Sequence, residues 1–296
     1  MSLWIFLAIL AQIFSAFTVF IDKYVLVSKQ GFQNPTAFAF YTALLSGIVV
    51  VLLPFGIVSW PSIPLILLSL CSSVLYVASL IFLYRTLQNI SVTETIPITA
   101  AASAIATGIL ATIFLQQDLP GGMIPSFIFL ILGTFLIYCF CFSWKYFAMA
   151  VASGALVGAA TFAVKLAFSH ADFWTALFWT LFSNVIVAVL LLIPTRFSTI
   201  SHAFKVSSSG TKWLALLSKA LGGFAFFLSF IAISLGSVSI INALGGLQLV
   251  FLLVLVPLFL KFLPKIFHDE FLPGTVVLKI IGIVCIVLGL AALFLF

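Results

Sequence analysis

The sequence predicts an all-α membrane protein of ten transmembrane helices, packed as two inverted five-helix repeats around a central cavity. Three observations carry that reading. Hydrophobic residues make up 65% of the 296-residue chain and charged residues 6%, too little polar surface to cover a water-facing globule. The apolar residues fall into ten stretches of about 20, each long enough to cross a hydrocarbon core of about 30 Å as a helix. The second half of the chain also repeats the first in outline. Barrel strands would alternate apolar and polar residues, whereas these runs are apolar on every face.

The spans are predicted at roughly 3–22, 36–58, 62–84, 92–115, 123–143, 146–168, 172–193, 213–234, 238–260 and 274–295. The opening "MSLWIFLAILAQIF" carries neither a basic n-region nor a small-residue cleavage site, so it reads as the first span rather than a removable signal. The longest polar stretch, Pro194 to Lys212, is too short for a domain and is expected to be a loop. Cys71, Cys139, Cys141 and Cys285 fall inside apolar runs without metal-ligand spacing and are expected to be buried structural thiols. The net charge of +6 does not point to nucleic acid, because Lys and Arg sit singly at span ends, where lipid headgroups are their partners.

Sliding the chain against itself by about 140 to 146 residues aligns similar pieces in the same order. Thr36-Ala37 meets Thr175-Ala176, Ser91-Val92-Thr93 meets Ser237-Val238-Ser239, and Lys23 comes close to Lys165. The repeats are therefore placed at 1–143 and 144–296, within one integral membrane domain. An odd number of spans per repeat makes the second half enter the membrane from the opposite side, as in alternating-access transporters.

These pieces resemble the drug/metabolite transporter superfamily, in particular its EamA-like branch. The likeness rests on "DKYVLVSKQGFQNP" after the first span, "FLYRTLQNISV" at the end of the third and "TIPITAAAS" opening the fourth. The chain departs from the family pattern in "FLQQDL", where Gln-Gln-Asp stands for the acidic residue expected at the fourth span's end, and in "NALGGLQ", where the Pro motif would recur. The resemblance implies a central cavity lined by the first, third, fourth, sixth, eighth and ninth spans and opened alternately to each side.

Within those spans Gln12, Ser73, Tyr76, Ser103, Lys219 and Gln248 fall at depth and are the candidate substrate contacts. Lys219 stands out, because a charge at the bilayer centre costs at least about 2.5–3.5 kcal/mol and needs a partner or a water-filled cavity. Arg85 and Glu94 flank the turn between the third and fourth spans, and two readings are open. They form an ion pair that fixes the hairpin, or Glu94, one turn before Pro97, couples transport to protons. Lys165 and Asp172 are expected to form a structural ion pair, and Asp22 with Lys23 to anchor the first span at the interface. The small residues of "TAAASAIATG" and "ALGG" are expected to pack the two halves together.

The function expected is a secondary transporter for a small metabolite, with a channel or lipid scramblase of the same fold as the alternative. An enzyme is disfavoured: His170, His202 and His268 are scattered, and "FHDEF" (Phe267 to Phe271) is the only cluster of acid/base groups. No metal and no cofactor are expected. The partners are a small-molecule substrate and membrane lipids, in a monomer or homodimer in the plasma (inner) membrane.

Loops after odd-numbered spans carry Lys29, Arg85, Lys145, Arg196, Lys205, Lys212, Lys261 and Lys265, and those after even-numbered spans carry no Lys or Arg. The positive-inside rule makes the odd loops cytoplasmic and puts both termini outside, whereas the family resemblance implies termini inside. The charge bias acts on this chain itself and is preferred. A cysteine at Ser208 should then resist a membrane-impermeant reagent applied to intact cells, and labelling from outside would overturn the assignment.

Overall fold

In lipid, every backbone N–H and C=O must find its partner within the protein, and this chain meets that demand with helices. The computed structural model describes residues 3–28, 31–115, 123–138, 143–193, 195 and 197–260, with the short pieces 281–282, 284–285 and 288–289. In order come α1 (Leu3–Val27), α2 (Pro35–Leu45) continuing as a 3-10 helix (Ser46–Phe55), α3 (Ile63–Asn89), α4 (Val92–Leu115), α5 (Met123–Tyr138) and α6 (Trp144–Ala167). There follow α7 (Phe173–Leu190), α8 (Phe197–Val206), α9 (Ser209–Leu235), α10 (Val238–Ala243), a 3-10 turn (Leu244–Gly246) and α11 (Leu247–Leu260). Among the described residues, 8 helical segments are long and apolar enough to cross a membrane. The protein is thus an all-helical, multi-pass membrane protein. The tenth predicted span, 274–295, lies almost wholly outside the described residues, as do Cys139, Cys141 and the "FHDEF" segment.

The helix starts are set by side-chain caps. Asn34 accepts from the N–H groups of Thr36 and Ala37 at α2, and Asp172 from Thr175 at α7. Ser62 and Ser208 each accept from the third residue on, Leu65 and Thr211, at α3 and α9. Asn34 satisfies two, and the others one each, of the free donors that open a helix.

Several boundaries differ from expectation, two of them with consequences for charge. Helix α1 runs on to Val27, so Asp22 and Lys23 are buried inside a helix and not at an interface. Helix α9 starts at Ser209, four residues early, which sinks Lys219 deeper than the sequence suggests. The expected loop before it holds α8, whose apolar residues Phe197, Ile200 and Phe204 recur at helical spacing. Ile200 is buried against α2 beside Ala37 and Phe40, while Phe197 and Val206 are exposed. Cys71, expected to be buried, is exposed.

Helix α3 packs along α6, and α1 along α9. Matching contacts hold both pairs. Lys23 Nζ donates to the carbonyls of Leu87 and Ile90 at 2.5 and 2.8 Å, closing the end of α3. Lys165 Nζ donates to Ile233 and Gly236 at 2.7 and 2.9 Å, closing the end of α9. Across the pairs, Ser72 Oγ donates to the Ala160 carbonyl at 3.1 Å, and Ser218 Oγ lies 3.2 Å from that of Thr18.

The small residues of α4 pack against α6, where Gly154 and Gly158 stand one turn apart. A Cβ at Gly154 would lie 2.3 Å from the Thr99 carbonyl oxygen, and one at Gly158 2.5 Å from that of Ser103. The "ALGG" segment joins from the side, with Gly245 facing Ala100. Close backbone approach of this kind replaces the hydrophobic drive that helices lack in lipid. Gly154→Ala should cost about 1–3 kcal/mol by overpacking and lower the melting temperature in detergent. Gly223→Ala, with nothing within 4 Å of the added carbon, should not lower it.

Candidate functional site

Helix α1 brings Asp22 against Lys219 of α9. The ammonium lies 2.8 Å from Asp22 Oδ1 and 2.7 Å from Oδ2, and donates to the Tyr84 hydroxyl at 3.0 Å. Those three contacts use all three of its N–H bonds. Ser218 Oγ donates to Asp22 Oδ1 at 2.5 Å, and Tyr84 Oη pairs with Thr42 Oγ1 at 3.3 Å. The charge also lies over the Phe38 ring, 4.2 Å from its centroid, and 5.2 Å from that of Tyr84. The two side chains are 9% and 4% exposed, so each charge depends on the other for solvation.

Beside the pair lies a cavity of about 380 Å³ between α2, α8 and the first three turns of α9. Phe32, Phe38, Tyr41 and Phe204 give it aromatic walls, and Leu44, Leu45, Leu216 and Trp213 its apolar rim. The charged lining residues are Lys212 and Lys219, with no acidic residue among them. The arrangement can hold an anion or a zwitterion against a cationic, largely dry surface, within the about 300–1,000 Å³ range of small-ligand sites.

Of the predicted contacts, Lys219 lines this cavity, but as one half of an ion pair. Tyr76 is half-buried with its ring 5.0 Å from that of Phe226. Gln248 donates to the Ser15 carbonyl at 3.1 Å, and Gln12 is half-buried on α1 one turn before it. Ser73 is fully buried and donates to the Thr180 carbonyl at 3.1 Å, which makes it a tie between α3 and α7. Ser103 is buried where α4 meets Gly158. The structure therefore gathers Lys219 alone of the set at this cavity, which α2, the second span, lines with α8 and α9 instead of the six spans that the resemblance implies.

Among the described residues, neither Arg85 with Glu94 nor Lys165 with Asp172 forms the expected pair. Arg85 is exposed at the end of α3, whereas Glu94 is 2% exposed inside the start of α4. Lys165 bonds the carbonyls that end α9, and Asp172 caps α7. Helix ends attracted both groups, since unpaired carbonyls and amides lie closer than the opposite charge.

Sequence reasoning missed Asp22, which stands next to a lysine and reads as its neighbour's partner, and missed the cavity's aromatic walls. It also missed Asn242, whose amide donates to Thr107 Oγ1 at 2.6 Å and Thr161 Oγ1 at 2.5 Å, tying α10 to α4 and α6. Only its position inside an apolar span could have signalled it.

No family model and no curated protein matches this chain. A solved structure, described only as the crystal structure of a protein, is similar over 97% of this chain and 98% of its own, with 18% sequence identity and a TM-score of 0.64. That likeness establishes a shared fold and nothing of activity.

A buried pair that loses one member leaves an uncompensated charge, at a cost of about 3–5 kcal/mol, while replacing both members with apolar residues is often neutral. Asp22→Leu should therefore lower the melting temperature well below that of Asp22→Leu combined with Lys219→Met. Equal losses in the single and double variants would show that the pair is not what stabilises the α1–α9 contact.

Proposed function

We propose that this protein is a secondary transporter of the plasma (inner) membrane that moves a small anionic or zwitterionic metabolite by alternating access, with the cavity beside Lys219 as its substrate site. The observation that carries the reading is the recurrence of one set of contacts in both halves of the chain. Lys23 closes α3 as Lys165 closes α9, and Ser72 reaches α6 where Ser218 reaches α1. Two copies of one unit, joined crosswise, support an inverted repeat, the architecture that lets a single site face either side in turn. The resemblance to the drug/metabolite transporter superfamily points the same way.

In this mechanism the substrate's anionic group competes with Asp22 for Lys219. Binding frees α9 from α1, and the helices part on one side as they close on the other. A zwitterion suits the site best, since its ammonium meets the carboxylate that its own anion displaces. Glu94, buried at the start of α4 one turn before Pro97, is the group proposed to couple uptake to protons.

Purified protein in proteoliposomes should show saturable counterflow with one or more members of a panel of small anionic and zwitterionic metabolites. Non-saturating flux would mean a channel, and movement of labelled lipid without metabolite flux a scramblase. The Asp22→Leu/Lys219→Met variant should lose counterflow at least about tenfold, the effect of one charge-assisted contact. Glu94→Gln should uncouple uptake from an imposed pH gradient, and unaltered pH-driven uptake would remove Glu94 from the mechanism.

A further inference from the structure

The cavity reaches the lipid. Its rim residues Leu44, Leu45, Leu216 and Trp213 are on the outer surface of α2 and α9, with Trp213 71% and Leu216 45% exposed. In a membrane-embedded bundle such a surface faces acyl chains, so the opening between α2 and α9 is lateral. Its other end lies at the start of α9, under α8, a short amphipathic helix docked through Ile200 and showing Phe197 and Val206 outward. A helix of that pattern lies in the interface plane. The cavity thus runs from headgroup depth into the hydrocarbon.

The two lysines along it are not equivalent. Lys219 has all its N–H bonds committed to Asp22 and Tyr84. Lys212, two turns nearer the start of α9, lies over the Phe204 ring at 4.4 Å and has no hydrogen-bond acceptor for its ammonium among the described residues. With Lys219 offset by Asp22 and no acidic residue among the described lining residues, the uncompensated charge among them is that of Lys212.

The geometry points to a binding site for a single-chain anionic amphiphile, a long-chain carboxylate, that slides in from the bilayer between α2 and α9. Its headgroup pairs with Lys212 at the interface, and its chain lies along Leu44, Leu45 and Leu216 toward Phe38. A volume of about 380 Å³, at the small end for ligand sites, holds one chain or ring system and not the paired chains of a phospholipid. As a statement of substrate class this rests on the transporter reading, whereas the binding site stands without it.

Trp213 on the rim supplies the test. A long-chain carboxylate brominated at mid-chain, titrated into the detergent-solubilised protein, should quench tryptophan fluorescence saturably. That component should vanish in Trp213→Phe, and a non-brominated carboxylate should reverse it. Lys212→Gln should weaken the affinity about tenfold, Lys212→Arg should keep it, and a brominated long-chain amine should bind far more weakly. Leu216→Trp in the Trp213→Phe background restores a reporter inside the groove, should Trp213→Phe alter folding. Quenching by the amine as strong as by the carboxylate, or unaffected by Lys212→Gln, would reduce the effect to partition into the micelle and overturn the proposal. Saturable, Lys212-dependent quenching without counterflow of the carboxylate would leave the site standing and remove it as a transport substrate. Metabolite counterflow with no saturable quenching would sink this inference and spare the transporter reading.

Discussion

A helix that ends inside a membrane protein leaves carbonyls without partners, and two lysines resolve that constraint here. Lys23 and Lys165 each reach from one helix to the last turn of another, where they meet two carbonyls apiece. The favourable end of the helix dipole adds to the bonds. Each contact does two things: it bonds two carbonyls at the end of a 27-residue helix, and it fixes where the next helix begins. Val92 and Val238 start the following helices within a few residues of those ends. The crosswise packing of α3 on α6 and α1 on α9 builds on these fixed corners.

On this matched framework the chemistry is unmatched. The residue before Lys23 is Asp22, whereas the residue before Lys165 is Val164, buried in an apolar cluster with Leu177 and Phe230. The residue after Ser218 is Lys219, whereas the one after Ser72 is Ser73, which bonds a carbonyl of α7. The ion pair therefore exists at the α1–α9 crossing and has no counterpart where α3 crosses α6. Small polar ties suffice at the second crossing, and an ion pair held further by Tyr84, Ser218 and the Phe38 ring joins the first.

The fold class was legible because lipid imposes one rule everywhere: runs of about 20 apolar residues. Among the described residues, eight of the predicted spans recur as helical segments long and apolar enough to cross a membrane, while α5 (Met123–Tyr138) is shorter than the fifth span predicted; Lys23 and Lys165, weakly matched in the sequence, make matching contacts. What stayed hidden was direction and partner. Hydropathy cannot tell a charge at the end of a span from one inside it, so Asp22 and Lys23 read as an interfacial doublet until α1 was seen to continue to Val27. Lys165 and Asp172 read as a pair because opposite charge is visible in a sequence, while free carbonyls at a helix end are not. Lys219 was legible as the charge needing an explanation. Its partner, 197 residues away, was not.

The asymmetry bears on how such a molecule could work. Two arrangements of a matched framework would be close in energy, and a ligand binding both equally would shift nothing between them. A buried pair at one crossing breaks that balance, since separating α1 from α9 strands two charges that cost several kcal/mol each without partners. On the transport reading proposed above, the closed crossing would then be the resting state, opened by a ligand that replaces the lost contacts. An anion at Lys219 replaces half of them and a zwitterion both, so on the transport reading the same pair that stabilises the fold also selects what is allowed to move it.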